Sequence, residues 1–468
     1  MIRWLAPLLL IAAAPAGLEQ QIAADLATAS PGTRFGLVVA TEDGREIVAL
    51  LPDQRFVPAS NTKLFTTAAL FDSGLDVDAP DTATGASVRL DPRPGRPPDV
   101  VLTGRGDARL SSAADCAVDC LATLADAVAA RTGTVGDVIG DDSWFPDERW
   151  SPGMSWNNMP TASGTGISAL TIDGNEAQVT VTPGKPPMVA GDGYYRFDNR
   201  VVNGAVTALD YERAPGGDVV RLTGTVAAAR VQKLGVDDPA HFAAWHLRRL
   251  LVARGVRVAG TVQARHRPLD AGDNPVRRGS LPAARPPELA ALARLSPPPL
   301  LDTATMTNKV SQNVYAELLL RRVGRVRGTG SIADGQAVVR AMLSKAGVPR
   351  TAYDFADGSG MSNYNRVSPR GTVAFLRWAA AQPWGVRWRA TLPVSGEGTL
   401  RRRFLTGPLA GRIAAKTGTL NATNALAGYI RAKSGRTLVF AAYANDVPDD
   451  AGATRAVDAA LERIAAAN

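Results

Sequence analysis

Strand-forming runs stand at both ends of this chain, and few folds can use them together. Near the start, "RFGLVVATEDGREIVALL" holds two β-rich runs, Phe35 to Ala40 and Glu46 to Leu51, around an Asp43-Gly44 turn. That pattern predicts a hairpin. Near the end, "RIAAKTGTLNATNALAGYIRAKSGRTLVFAAYAND" reads as three strands, the last two joined by a Ser434-Gly435 turn. An isolated hairpin is marginal in water. The simplest assembly joins the terminal strands into one antiparallel sheet with helices on its faces, an α+β fold. Helical texture flanks both groups: Leu18 to Ala29, a helix opening at Ser60 and running through Leu70, the segment from Glu288 onward, and a closing helix from Thr454 to Ala467.

Between the two ends the texture changes. From about Asp76 to Arg265, Pro and Gly become frequent ("DPRPGRPPD"), and short strand-like runs appear, such as "DVVLTG", "DVIGDDSWF" and "AQVTVTP". "PLDAGDNPVRRGSLPAARPPEL" then reads as a connection. At 468 residues the chain is too long for one ordinary core. The expected organisation is a split domain, residues 17–75 and 285–468, interrupted by a large β-rich insert at 76–284 of one or two small domains.

The first sixteen residues stand apart. "MIRWLAPLLLIAAAPAG" carries Arg3, an apolar stretch from Trp4 to Ala14, and an A-x-A-like site at Ala14-Pro15-Ala16. It reads as an export signal cut before Gly17, with an uncleaved helix as the alternative. The stretch is too short to span a bilayer, and no later run is long enough. The expected location is therefore exported, in the periplasm or extracytoplasmic envelope, with no transmembrane span after signal removal. Export bears on the two cysteines of "DCAVDCL", Cys116 and Cys120. On a regular helix that spacing would strain a disulfide, whereas a looped segment would accommodate one, so the pairing stays open. The two cysteines offer too few ligands for zinc, with no His nearby, and no metal or cofactor is expected.

Lys and Arg total 52 against 44 Asp and Glu, a net charge of +8. The excess is spread along the chain, with one local cluster, "RRRF", at Arg401 to Phe404. Aromatics make up 6% and form no stripe with the basic residues, which argues against nucleic acid. A solvated basic surface, with weak peripheral contact to an anionic membrane, is the reading that remains.

Three short motifs carry chemistry. In "VPASNTKLF", Ser60 and Lys63 share one face of a helix start. A hydroxyl is a poor nucleophile until a base takes its proton, and a partly buried lysine beside other cations can serve as that base. The helix N-terminus adds backbone N–H groups that favour developing negative charge. "SQN", Ser311 to Asn313, falls within a helical pattern and offers a proton relay and an amide. "KTGT", Lys416 to Thr419, lies on a strand: a cation, two hydroxyls, and Gly418, which lets another backbone come close. Each alone is commonplace. S-x-x-K, S-x-N and K-T-G in that order form the signature of penicillin-binding proteins and serine β-lactamases.

Further segments narrow the resemblance. "ADGSGMSNYNRVSP" (Ala356 to Pro369), "NKVSQNVYAELLLR", "LPVSGEGTLRRRF", "AAKTGTLNATNALAGYI", "IGDDSWF" and "SALTIDGNEAQV" resemble segments of the D-alanyl-D-alanine carboxypeptidase/endopeptidase family, peptidase family S13. The resemblance covers nearly all of the chain after residue 16. It implies a penicillin-binding domain, an antiparallel sheet flanked by helices, split by a large insert after the S-x-x-K helix. It implies a serine DD-peptidase acting on peptidoglycan stem peptides and acylated by β-lactam antibiotics. Ser60 would be the nucleophile and Lys63 its base. Ser311 with Lys416 would pass a proton to the leaving D-alanine, and Asn313 would hold the acyl-donor amide. Thr417 and Thr419 would hold the terminal carboxylate beside Gly418. The backbone N–H groups of Ser60 and Thr419 would form the oxyanion hole. Two departures stand out. Gln312 replaces the Asp common within S-x-N, and Asn158 in "MSWNNMP" stands where some relatives carry an acidic residue that meets a diaminopimelate ammonium.

Three rivals remain. A β-lactamase would need its own deacylating carboxylate, and no such motif is identified. A non-catalytic wall-binding scaffold would have lost the Ser or Lys. A Ser-His-Asp hydrolase would show G-x-S-x-G, which is absent, and the histidines, His241, His246 and His266, all fall in the insert as surface or helix residues. "DGSG" at Asp357 to Gly360 reads as a turn that borders the site, and Arg-Gly-Asp at Arg105 to Asp107 as a plain turn.

Overall fold

The computed structural model describes residues 17–449 and 452–468. The expected export signal lies outside them. The two ends of the chain meet in one five-stranded antiparallel sheet. Its strands are β1 (Arg34–Thr41), β2 (Glu46–Leu50), β3 (Ile413–Leu420), β4 (Thr423–Arg431) and β5 (Thr437–Asn445), in the order β3-β4-β5-β1-β2. The seam joins the chain ends directly, with Val38 opposite Ala441. The predicted hairpin and the three C-terminal strands are therefore present with nearly the expected bounds.

Alternation along the strands explains the layers. In β5, Leu438, Phe440 and Ala442 face one side and Val439, Ala441 and Tyr443 the other, and all are buried. A strand buried on both faces needs helices on both. The first face is covered by α1 (Leu18–Leu26) and α7 (Ala453–Ala467). The second is covered by α2 (Thr62–Asp72), α3 (Leu300–Lys309), α4 (Asn313–Gly324), α5 (Ile332–Lys345) and α6 (Pro369–Ala380). Every residue of α2 from Thr62 to Phe71 is buried, so α2 is a central helix rather than an amphipathic surface one. The two buried tyrosines of the sheet spend their hydroxyls inside the core. Tyr429 donates to Leu376 O at 2.7 Å, and Tyr443 pairs with Thr372 Oγ1 at 2.8 Å.

The central region has its own core, drawn from residues between Ala86 and Val256. A five-stranded mixed sheet runs in the order 262–265, 138–141, 96–103, 87–93, 293–294, with helices Leu121–Arg131 and Pro239–Ala253 beside it. Smaller sheets follow, one of three strands (230–235, 176–182, 188–191) and one built around 219–226. The strand at Ala293–Arg294 pairs with Val88 and Ser87. The chain thus leaves this sheet only after Arg294, beyond the connection read from Pro and Gly, because two residues are enough to add an edge strand. A small apolar seam of Ala108, Phe145, Ile167, Ala169, Val314 and Leu318 fastens the central region to α4.

Cys116 and Cys120 are bonded, with Cα atoms 5.7 Å apart. The segment before Leu121 is looped rather than helical, which settles the geometric question in favour of pairing.

Candidate active site

Ser60 stands at a corner. Ala59 takes a left-handed φ of 47°, a short 3-10 turn spans Ala59–Asn61, and α2 begins at Thr62. A non-glycine residue in that region is strained and persists only when its surroundings hold it. Two glycines from distant segments press against it. A Cβ on Gly360 would lie 1.9 Å from Ala59 O, and one on Gly418 would lie 2.6 Å from Pro58 O and 3.0 Å from Ser60 N. The "DGSG" loop and the "KTGT" strand therefore both touch the backbone of the serine turn, at positions where no side chain fits.

Lys63 follows in the first turn of α2 and is fully buried. Its Nζ lies 2.9 Å from Ser60 Oγ, 2.7 Å from Asn313 Oδ1 and 2.6 Å from Ser359 O. Burial pushes the Lys63 ammonium down to about 7, against the opposing pull of the Asp357 and Glu317 carboxylates. The three neighbours differ in kind. The Asn313 and Ser359 oxygens are carbonyls and only accept. A neutral amine must give both its N–H groups to them, which aims its lone pair at the Ser60 hydroxyl. Asn313 cannot turn over to change this, because its Nδ2 donates to Ser163 O at 2.8 Å.

Ser311 departs from the helical pattern that the sequence suggested. Residues 310–312 break the helix between α3 and α4, and Ser311 adopts a φ of 68°. The apolar period runs through the break, which is why periodicity misses it. The break turns Ser311 toward β3, where Lys416 Nζ donates to its Oγ at 2.9 Å and to Thr417 O at 2.9 Å. Lys416 is also fully buried, and burial, reinforced by the nearby Lys63 charge, holds its pKa well below the usual lysine range. Two ammonium groups are thus disfavoured in one enclosed site. Thr417, Gly418 and Thr419 continue along β3, at the edge of the sheet. Thr417 Oγ1 donates to Thr399 Oγ1 at 2.8 Å. The structure therefore brings the eight candidate positions together around the Ser60 turn and the adjoining stretch of β3.

Several supports were missed. Asp357 is buried and accepts from Gly360 N at 2.9 Å, Ser362 N at 2.7 Å and Asn365 Nδ2 at 2.6 Å. Burial, then repulsion from Glu317, pushes it up to about 6. Glu317, on α4, accepts from Gly358 N, Ser359 N and Arg321 Nη1 at 2.8–2.9 Å. These two carboxylates pin the loop whose Ser359 carbonyl holds Lys63. Asn61, fully buried, sets its amide against Lys416 O, Thr417 O and Ala427 N. The only sequence signal was "DGSG" as a turn; a lone Glu in an apolar helix looks like a surface residue.

The central region supplies one wall, through Arg149, Trp150, Ser151, Met154 and Ser163. Asn158 stands on that segment, its carbonyl accepting from Thr161 N and Oγ1. The histidines lie elsewhere in the same region. His266 is no simple surface residue: it sits between Asp142 Oδ1 at 2.9 Å and Asp238 Oδ2 at 3.1 Å, which raise it to about 10. Arg105 and Asp107 are buried, so their Arg-Gly-Asp turn presents no adhesive surface. Among the described residues no group of three or more His, Cys, Asp or Glu side chains is placed to hold a metal ion.

With this geometry in view, comparison with known proteins is specific. The family described as D-Ala-D-Ala carboxypeptidase 3 (S13) matches residues 18–468. The D-alanyl-D-alanine carboxypeptidase of Actinomadura sp. (strain R39) is 34% identical over 428 residues, covering 85% of this chain and 75% of that protein. Carboxypeptidase DacB of Mycolicibacterium smegmatis is 28% identical over 448 residues, 92% of this chain and 80% of its own. The crystal structure of penicillin binding protein 4 (dacB) from Haemophilus influenzae shares the fold, with a TM-score of 0.78 at 20% identity over 94% of this chain and 98% of that one.

Proposed function

The chain belongs to the D-Ala-D-Ala carboxypeptidase (S13) family and is a serine-type peptidase, and from that premise we propose that Ser60 is the nucleophile that removes the terminal D-alanine of peptidoglycan stem peptides. The observation that carries the assignment is the position of Lys63 Nζ, 2.9 Å from Ser60 Oγ with two carbonyl oxygens beside it to take its N–H groups. Lys63 Nζ takes the hydroxyl proton as Ser60 Oγ attacks the carbonyl carbon of the penultimate D-alanine. The backbone N–H groups of Ser60 and Thr419 receive the oxyanion. As the C–N bond breaks, Ser311, hydrogen-bonded to Lys416, gives its proton to the leaving nitrogen and is refilled by the proton that Lys63 took from Ser60, which leaves Lys63 neutral again. Asn313 orients the acyl-donor amide. Water then attacks the ester, with Lys63 again as base, and Ser60 regains its proton. The same acyl-enzyme serves a D-amino-acid cross-link, which is the endopeptidase reaction.

Residues 86–294 act in this reading as an inserted unit that lends one wall to the cleft. Action on cell-wall peptides places the protein outside the cytoplasm, in the periplasm or its equivalent. No helix of the described residues is long and apolar enough to cross a membrane.

Intact-mass spectrometry with benzylpenicillin tests the assignment, wild type beside Ser60→Ala, together with D-alanine release from an N-acylated peptide ending in D-Ala-D-Ala. One drug mass added to wild type alone, with D-alanine released by wild type alone, is the expected result. An adduct on Ser60→Ala would sink the choice of nucleophile. Rapid drug hydrolysis without peptide cleavage would favour a β-lactamase.

A further inference from the structure

The relay from Lys416 to Ser311 crosses a gap between two parts of the fold. Ser311 sits in the break between α3 and α4, with its left-handed φ of 68°, while Lys416 lies on β3. One hydrogen bond of 2.9 Å joins the two side chains. A lysine reaches through a flexible four-carbon stem, so that bond alone does not fix where the break stands.

A second connection spans the same gap. It is the segment Ser395 to Leu400, "SGEGTL", which precedes β3. At one end Gly398 presses on the last residue of α3. Its φ is 49°, and a Cβ there would run into Lys309 O and lie 3.0 Å from the Lys309 carbonyl carbon. Both atoms are backbone, so a side chain fits only if the segment or the break moves. Beside it, Lys309 Nζ donates to Glu397 Oε2 at 2.7 Å. At the other end Thr399 Oγ1 accepts from Thr417 Oγ1, and Leu400 is buried in the core beneath the sheet. Backbone bonds brace the span: Glu397 N donates to Val394 O at 3.0 Å, Leu400 N to Glu397 O at 2.8 Å, and Ala415 N of β3 to Pro393 O at 3.0 Å. Lys309 stands two residues before Ser311, and Thr417 directly follows Lys416. The segment is therefore a spacer between the two members of the relay, and its thickness at α3 is that of a bare Cα.

We propose that Gly398 is a positioning residue: it seats the end of α3 against β3, with the Lys309–Glu397 pair as a clasp, and so places Ser311 Oγ where it can protonate the leaving nitrogen. This rests on the DD-peptidase reading and adds what sets its leaving-group step.

The test compares an N-acylated peptide ending in D-Ala-D-Ala with the matching D-Ala-D-lactate ester. Both give the same acyl-enzyme on Ser60 and differ only in the group that departs. An amine must be protonated as it leaves, whereas an ester oxygen, the weaker base, needs less help. Gly398→Ala should lower kcat/KM on the peptide by about 10²-fold, the scale of a 1 Å misplacement. The loss on the ester should be about tenfold smaller, so the ester-to-peptide ratio rises. Glu397→Gln and Lys309→Gln break a partly exposed pair, and each should lower the peptide rate by about 2–5-fold, with the ratio moving the same way. Lys309→Glu combined with Glu397→Lys should restore both. Gly411→Ala is the control: Gly411 is also left-handed, at φ 67°, but an added Cβ meets nothing within 4 Å, so the ratio should stay at its wild-type value. An unchanged ratio in Gly398→Ala, whether both rates fall or neither does, overturns the positioning role. Where Gly398→Ala does not fold, the charge pair decides, and a ratio unmoved by its single variants overturns the role as well. Absence of turnover of either substrate by wild type instead overturns the DD-peptidase reading beneath it. Benzylpenicillin acylation of Ser60 separates the two failures, since it reports the nucleophile independently of peptide turnover.

Discussion

The terminal sheet and the central region are built from the same chain by different means. The terminal sheet is covered on both faces, and buried residues such as Val38, Tyr429, Phe440 and Tyr443 fix it between two helical layers. The central region spreads its residues over several small sheets; an outer strand such as Ala208–Glu212 alternates between exposed and half-buried residues, and Arg196–Asp218 and Arg221–Glu212 are surface ion pairs. Surface pairs contribute little, ~0–1 kcal/mol each. The polar groups gathered around Ser60, two lysines and two carboxylates, are all buried. Taking charges out of water is costly, and only a rigid frame holds the partners that offset it. Chemistry therefore resides with the double-layered sheet, and the central region contributes a wall.

The comparison breaks first at Lys63. Lys63→Arg keeps charge and length but cannot be neutral, so acylation by benzylpenicillin should fall by about 10²–10⁴-fold. In wild type the acylation rate should rise with pH through about 7, because the depressed Lys63 pKa sets where the base loses its proton. A stopped-flow pH profile flat from 5 to 9 (a range set about that midpoint) would remove Lys63 from that role. The next effect concerns the loop that holds Lys63. Asp357→Asn turns an amide nitrogen toward backbone N–H donors, and stability should fall by about 1–3 kcal/mol, with slower acylation. Denaturant unfolding read beside acylation rate checks this; a change in neither would mean that Gly360 packing alone holds the loop. The smallest effect on catalysis should come from the central region's disulfide. Cys116→Ser with Cys120→Ser closes no long loop, so the loss should be about 2 kcal/mol of stability. Its kcat/KM on D-Ala-D-Ala peptides should stay within about twofold, as for a distant independent site. A large catalytic loss would show that the two regions are coupled more tightly than their separate cores suggest.

Sequence reading went furthest where function and local pattern coincide. Ser60, Lys63, Asn313 and Lys416 were legible because three motifs occur in a fixed order, and the hairpin because β-rich runs flank Asp43-Gly44. Ser311 shows the limit. Its place in the S-x-N motif was legible, but the break around it was hidden by an apolar period that continues from α3 into α4. Asp357 and Glu317 were invisible as supports, since burial of a carboxylate depends on tertiary donors that no local window contains. The cysteine pair stayed undecided for a similar reason: spacing allowed a strained helix or an easy loop, and only the backbone before Leu121 decides.

The seam between Val38 and Ala441 also sets a timetable for biosynthesis. A growing polypeptide emerges from its N-terminus, so β1 and β2 appear hundreds of residues before the neighbour that covers β1. All strands of the central mixed sheet lie between 87 and 294, and they can pair while the rest is still being made. The terminal sheet closes last, at the cost of a very long loop closure. A chain released early, before residues 437–445, holds Ser60 and Lys63 but lacks the strand that joins them to Lys416, so a truncated product cannot assemble the cluster.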